Sequence, residues 1–206
     1  MEKESTTRNK KGKQIYKQGQ TMKERYKTGQ KALTPTQAEK LLASCINLEH
    51  EALIKLALST GMRRSDVVKI TEANINFKDN YVEFEEMKKR NKIKRTYISK
   101  GVLNTLSKWI QLKPKSKYLF PSKRTKTHIS DRTAYNYLQA NLKCAGLPNR
   151  PFHALRATCY KIAQARGWTQ RQAAEHIGDS LRVAEEHYGA PSTEEMHTQA
   201  QESPII

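Results

Sequence analysis

Residues 74–99 read NINFKDNYVEFEEMKKRNKIKRTYIS, and the fold turns on them. Before and after this stretch, apolar residues recur at helical spacing. Within it they alternate in short runs, with turn chemistry at Lys78, Asp79 and Asn80 and a longer basic connection from Lys88 to Arg95. Period-2 runs separated by such punctuation predict a small three-stranded antiparallel sheet. The chain around it predicts helices, so the expected class is α+β: a mostly helical domain with one small sheet.

Working outward, LTPTQAEKLLASC (33–45) predicts a helix with Thr34 as cap, Pro35 at its first position and Gln37 closing a capping box. HEALIKLALSTG (50–61) predicts a second, ended by Gly61, and MRRSDVVKI (62–70) a further turn or two. Beyond the strands come GVLNTLSKWIQL (101–112), a basic loop, and DRTAYNYLQANLKCAG (131–146) capped by Ser130. A helix follows from His153 to about Gly167, then one with a capping box at Thr169 and Gln172, then SLRVAEEHY (180–188). Residues 1–31 hold ten Lys or Arg against three Glu and almost no large apolar residues, which predicts a basic arm without its own core. The expected organisation is an arm over 1–31, a domain over 32–191 and a tail over 192–206.

Lys and Arg number 38 against 20 Asp and Glu, a formal charge of +18. Such a surplus favours a polyanion, because each phosphate neutralised releases condensed counterions. Double-stranded DNA is the first candidate partner. No apolar run approaches the roughly 20 residues of a membrane span, and the N-terminus is polar, so neither membrane insertion nor secretion is expected. Cys45, Cys144 and Cys159 are odd in number, widely spaced and each in a helical pattern, so buried thiols in a reducing interior are expected, rather than disulfides. His50, His128 and His197 have no ligand spacing, so no metal site is expected, and no cofactor.

The chemistry concentrates in RPFHALRATCY (150–160). His153 and Arg156, spaced i, i+3, share one face at a helix start, while Leu155, Cys159 and Ile162 can face inward. The helix N-terminus itself favours an anion there. A capping histidine beside a surface arginine is the plainer reading of this motif in isolation. STGMRRSDVV (59–68) places Arg63 just past a helix end, from which a guanidinium can point into a cleft, and IGDSLRVAEEHYG (177–189) carries Tyr188. Two arginines, a lysine, a histidine and a tyrosine suffice for metal-free attack on a phosphodiester. The arginines spread the charge of a five-coordinate phosphorus, and a lysine protonates the departing oxygen. The phenol, with an ordinary pKa of about 10, needs help losing its proton, for which His153 is the natural base.

The order G-x-R, hairpin lysine, H-x-x-R, tyrosine resembles the tyrosine recombinase (phage integrase) family, from about Leu33 to Pro191. TGMRRSD looks like its first arginine box, which implies Arg63 in that role with Asp66 as its buttress. HALR gives His153 and Arg156, and Tyr188 matches the nucleophile. Counting back from RTYIS (95–99), Lys89 best fits the hairpin lysine, with Lys88 and Lys92 as alternatives. The basic residues of the cluster, Lys88, Arg90, Lys92, Lys94 and Arg95, with Lys123, Arg124 and Lys126 of the later loop, are expected to meet DNA phosphates. Asp179 stands nine residues before the tyrosine, where the family usually has histidine or tryptophan; it either accepts a hydrogen bond at the site or caps the next helix.

Family members usually carry a separate helical DNA-clamping domain ahead of the catalytic one. Here the basic arm, an accessory DNA-binding partner or a longer parent chain would take its place. The resemblance implies a cytoplasmic enzyme, in a prokaryotic or viral-host cell interior. It would cleave and rejoin DNA through a 3′-phosphotyrosyl link, as a tetramer on two sites. A type IB topoisomerase-like activity and a non-catalytic DNA-binding descendant are the alternatives.

Overall fold

The computed structural model describes residues 28–86, 92–189, 191 and 193–203. The first 27 residues of the expected arm, and Lys88, Lys89 and Arg90 of the basic connection read from the sequence, lie outside the described residues.

The central helix is α2 (Leu48–Thr60), capped by Asn47, whose side chain accepts from the His50 N–H. Ala52, Leu53, Ile54, Leu56 and Ala57 are all fully buried. A helix buried around most of its girth is one enclosed by others rather than laid on a surface. Around it lie α1 (Pro35–Ala43), α4 (Lys100–Leu112), α5 (Asp131–Cys144) and α6 (Ala154–Ala165). The capping box of α1 forms as its sequence dictates: Thr34 Oγ1 accepts from Gln37 N–H and Gln37 Oε1 from Thr34 N–H. Ser99 and Ser130 cap α4 and α5 more simply, their hydroxyls accepting from the Val102 and Thr133 N–H groups. The main core joins these helices to the sheet through Val82, Phe84, Ile98, Leu106 and Phe120.

The sheet is antiparallel in the order β1 (Ile75–Asn76), β2 (Tyr81–Glu86), β3 (Lys92–Tyr97). Asn80 turns the first hairpin at φ 58°, a left-handed geometry that asparagine tolerates. Register pairs Val82 with Thr96, Phe84 with Lys94 and Glu86 with Lys92. Alternation therefore sends Val82 and Phe84 into the core, and Glu86 after them on the same face, only 3% exposed.

Three shorter helices complete the domain: α3 (Arg64–Val67), α7 (Gln170–Ile177) and α8 (Leu181–Tyr188), with α9 (Thr193–Glu202) beyond. Ala157 and Tyr160 of α6, Ala173, Ala174 and Ile177 of α7, and Ala184 and Tyr188 of α8 form a second apolar cluster. Small residues dominate its seams, so the three helices approach closely. Thr28–Lys31, counted with the arm in the sequence, form a 3-10 turn against α6 and α8. Gly29 lies so near the end of α8 that a Cβ there would stand 2.5 Å from the Tyr188 carbonyl oxygen. Immediately after the turn, the Leu33 N–H donates to Thr158 Oγ1 at 2.8 Å, tying the start of the domain to α6.

The three thiols do not share one environment. Cys159 is buried and its pKa is pushed up to about 12 by burial, but Cys144, in the last turn of α5, is exposed. A helical pattern says that one face is buried, and Cys144 lies on the other. Among the described residues, no helix is long and apolar enough to cross a membrane.

Gly61 ends α2 in the left-handed conformation, φ 62°, and a Cβ on it would lie 2.5 Å from Ile177 Cγ2. Gly61→Ala therefore combines a left-handed penalty of about 1 kcal/mol with overpacking of about 1–3 kcal/mol. Urea unfolding should register a loss of about 2 kcal/mol or more, and a loss below about 0.5 kcal/mol would contradict this packing.

Candidate active site

Five separate segments of the chain deliver side chains to one point. Arg63 stands between Gly61 and α3, where the left-handed glycine has turned the chain back towards the sheet. Its Nη1 donates to Glu86 Oε1 at 2.9 Å and its Nη2 to Asp179 Oδ1 at 3.1 Å. Arg156, in the first turn of α6, is 1% exposed. Its Nη1 donates to the Gly61 carbonyl at 2.6 Å, and its Nε reaches both Tyr188 Oη at 3.2 Å and Asp179 Oδ2 at 3.3 Å. Arg156 Nη2 lies 2.6 Å from Asp179 Oδ2, an ion pair by distance. That nitrogen is buried and its N–H bonds are not aligned with an acceptor, so the contact is charge against charge without a directed hydrogen bond.

Tyr188, the last residue of α8, is 2% exposed. Its Oη stands 2.8 Å from His153 Nε2 and 3.4 Å from Asp179 Oδ2. The phenol thus receives a hydrogen from Arg156 and has two neighbours able to take its own. Burial raises the Tyr188 pKa above the usual value; the charge of Arg156 opposes this, Asp179 reinforces it, and Arg63 opposes it from farther off. The net direction is upward, so the resting phenol is protonated at neutral pH. For Arg156, burial disfavours the charge, but Asp179 and Tyr188 outweigh it and hold the guanidinium protonated.

His153 is not a cap: it sits at the N-cap of α6 with helical φ and ψ and no side-chain capping bond. Nor is the start of α6 an open donor site for an anion. The N–H groups of Ala154, Leu155 and Arg156 bond to the carbonyls of Pro151, Phe152 and His153, because a tight turn leads directly into the helix. The side chains, not the helix end, carry the site's positive charge.

Asp179 lies between Gly178, which ends α7 at φ 81°, and Ser180, the cap of α8. Ser180 accepts from Val183 N–H, so the cap of α8 is the serine, and the Asp179 carboxylate faces the arginines instead. Asp66 is buried on α3 with Ser65 Oγ at 3.4 Å from Oδ1. His176, on α7, bonds through Nε2 to the Ser59 carbonyl at 2.7 Å, and burial lowers its pKa. His187 is exposed beside Tyr188.

Among the basic residues read as DNA contacts, Lys92 is exposed, and Lys123, Arg124 and Lys126 are exposed on the loop closed by Ser122 N–H to the Thr127 carbonyl. Arg95 is paired with Glu83 at 2.8 Å and stacked on Tyr81. Lys94 turns inward and donates to the His176 carbonyl at 2.6 Å. A Cβ on Gly178 would lie 2.7 Å from the same Lys94 Nζ, which would have to shift, and the φ of 81° there favours glycine.

Glu86 is the site residue that sequence reasoning passed over. Its signal was parity: with Val82 and Phe84 it occupies the inward positions of β2, where an acid requires a buried cation. Among the described residues, no group of three or more His, Cys, Asp or Glu is placed to hold a metal ion.

The family model described as "Phage integrase family" matches residues 31–191. Solved structures share the fold at low identity. XerA recombinase is similar with TM-score 0.72 and 16% identity over 85% of this chain and 66% of that one. XerH site-specific recombinase bound to its difH substrate is similar with TM-score 0.68 and 18% identity over 94% of this chain and 59% of that one. A lambda integrase (75-356) dimer bound to a COC' core site gives TM-score 0.60 and 21% identity, over 74% of this chain and 59% of that one. The chain thus spans about three fifths to two thirds of the length of these structures. No curated protein matches it.

The raised Tyr188 pKa has a measurable consequence. A group whose pKa is raised on folding lends stability below its unfolded value, about 10 for a phenol, and loses it as pH climbs through the folded value. Absorbance titration at 295 nm should show late-ionising phenols, and Tyr188→Phe should remove one of them and flatten the alkaline fall in stability above about pH 10. A Tyr188→Phe protein with an unchanged late phase would contradict the buried placement of this hydroxyl.

Proposed function

The chain belongs to the phage integrase family, and we propose that it is a tyrosine recombinase that breaks and rejoins duplex DNA with Tyr188 as nucleophile. The observation that carries this reading is the meeting of the Tyr188 hydroxyl with His153 Nε2 at 2.8 Å and Arg156 Nε at 3.2 Å. Arg63 meets the same carboxylate as Arg156 through its other oxygen.

In the proposed reaction His153 takes the phenolic proton. The Tyr188 oxygen bonds to phosphorus while the bond from phosphorus to the 5′ oxygen breaks. A lysine of the 88–92 hairpin, Lys89 in the family alignment with Lys88 and Lys92 as alternatives, protonates that departing oxygen. Arg63 and Arg156 offset the charge gathering on the non-bridging oxygens, a role in which losing one donor costs on the order of 10² to 10³ in rate. The product is a 3′-phosphotyrosyl link and a free 5′-hydroxyl. Because the phosphoester is conserved in the link, a 5′-hydroxyl from another strand can reverse the attack and exchange partners without an external energy source. Exposed Lys92, Lys123, Arg124 and Lys126, together with the basic residues 1–31, are suited to phosphate contacts that strengthen binding and make it salt-sensitive.

The phenol stands beside the arginine of its own chain, which supports cleavage within one protomer. A tetramer on two sites is proposed as the working assembly, with an accessory DNA-binding partner or a longer parent chain supplying further clamping of the duplex.

A nicked duplex that traps the cleaved strand tests the reading. Wild type should give a covalent protein–DNA band on a denaturing gel, Tyr188→Phe none, and Arg156→Ala about 10² to 10³ less. Mixing Tyr188→Phe with Arg156→Ala should not restore the band; restoration would mean that the tyrosine serves a neighbour's site. A covalent band with Tyr188→Phe alone would refute the nucleophile.

A further inference from the structure

We propose that Asp179 is an internal stand-in for the scissile phosphate, occupying the two-arginine pocket until an oxyanion replaces it. This deepens, and rests on, the phosphodiester-cleaving reading above. The geometry is that of an occupant. One carboxylate oxygen is on Arg63 Nη2 at 3.1 Å, and the other is on Arg156 Nη2 at 2.6 Å and Nε at 3.3 Å. That second oxygen also lies 3.4 Å from the Tyr188 hydroxyl. Two oxygens joined by one atom, each on a different guanidinium and facing the attacking phenol, is the arrangement required of the non-bridging oxygens of a phosphodiester.

Charge points the same way. Both guanidinium groups are closed on carboxylates, Arg63 on Glu86 and Asp179 and Arg156 on Asp179, while Lys94 Nζ and Glu86 Oε1 both lie over Gly178. Releasing one carboxylate frees guanidinium donors and adds positive charge to a site that already holds Lys94, which favours a phosphodiester. Glu86 is the wrong one to release. It lies on a strand, 3% exposed, and its ion pair is with Arg63 at 2.9 Å. Asp179 contacts Arg63, Arg156 and Tyr188, and it sits in a short connection whose backbone is held independently by its own N–H to the Ala174 carbonyl at 3.0 Å. Its side chain can rotate away with that bond intact. Nor does the carboxylate satisfy the pocket, since the buried Arg156 Nη2 has no directed hydrogen bond. A tetrahedral anion, with oxygens in more directions, can supply one.

A stand-in lowers apparent affinity for the true ligand by the fraction of time the pocket is open. It also explains why a fully buried guanidinium is tolerated in the free protein, where an unpaired one would be strongly destabilising. The probe is inorganic phosphate at constant ionic strength with chloride as control, and the readouts are thermal unfolding and phosphate titration of the full chain. Asp179→Asn keeps the shape and removes the charge. It should melt below wild type in chloride, recover by several degrees more than wild type does in phosphate, and bind phosphate about tenfold more tightly or better. Asp179→Ser, smaller and equally neutral, should show the same gain however well an amide fits the site. Adding Arg156→Ala to either variant should abolish the gain. If both neutral variants respond to phosphate no more than wild type, or remain unfolded in it, the stand-in is overturned and Asp179 is a structural anchor of the arginines. Strand cleavage plays no part in these readouts: a protein that shows the phosphate gain but never forms a covalent adduct would sink the recombinase reading and leave the stand-in standing.

Discussion

A guanidinium that is 1% exposed sets the terms for this domain. The charge of Arg156 is stable there because the Gly61 carbonyl, the Tyr188 oxygen and the Asp179 carboxylate surround it. Those three partners come from the end of α2, the end of α8 and the connection before α8. Anchoring Arg156 therefore anchors the relative positions of the helix that carries it, the central helix and the helix that carries the phenol. Burying a charge stabilises little in itself, and pairing repays desolvation only when the geometry is good. What it does supply is specificity of arrangement, since each partner has one position that works. The site and the second apolar cluster are one construction: Ala157, Ala174, Ile177 and Ala184 let α6, α7 and α8 approach closely enough for the polar contacts to form.

Different elements hold the different side chains of the site. Arg63 comes two residues after Gly61, whose left-handed backbone favours glycine, and Glu86 sits on a paired strand, so the first arginine is held from two sides. Lys94 closes the space over Gly178 by binding the His176 carbonyl. The tyrosine is held differently: it is the last residue of a two-turn helix, and a 3-10 turn at the beginning of the domain touches its backbone at Gly29. The Thr28–Lys31 turn thus packs against the backbone of Tyr188 at the end of α8.

Much of this was legible in the residues. Thr34 with Gln37 and Thr169 with Gln172 mark helix starts by chemistry that does not depend on tertiary context, and both capping boxes form. The alternation in residues 81–98 and the turn at Asn80 specify a hairpin in the same local way. The convergence of Arg63, His153, Arg156 and Tyr188 could be read only through a family resemblance, because no local rule brings together positions separated by 125 residues of chain, from 63 to 188. Glu86 was missed because an acid in a strand of acids looks like a solvated face until register shows which ones point inward. The open helix end expected at α6 failed for a similar reason: the turn formed by Pro151 and Phe152 takes up its N–H groups, and proline and phenylalanine do not announce that. Cys144 was misjudged because helical periodicity does not say which face is buried.

The central claim is that two arginines, a histidine and a tyrosine of one chain surround a single phosphate. It is tested most directly by a crystal structure of the Tyr188→Phe protein on an uncut duplex, which holds the substrate before attack. One phosphorus should lie in the pocket with its non-bridging oxygens at about 3 Å from Arg63 and Arg156, with the ring of residue 188 on the side opposite the 5′ oxygen. DNA bound on another surface, with both arginines still closed on their carboxylates and no phosphate between them, would contradict the account.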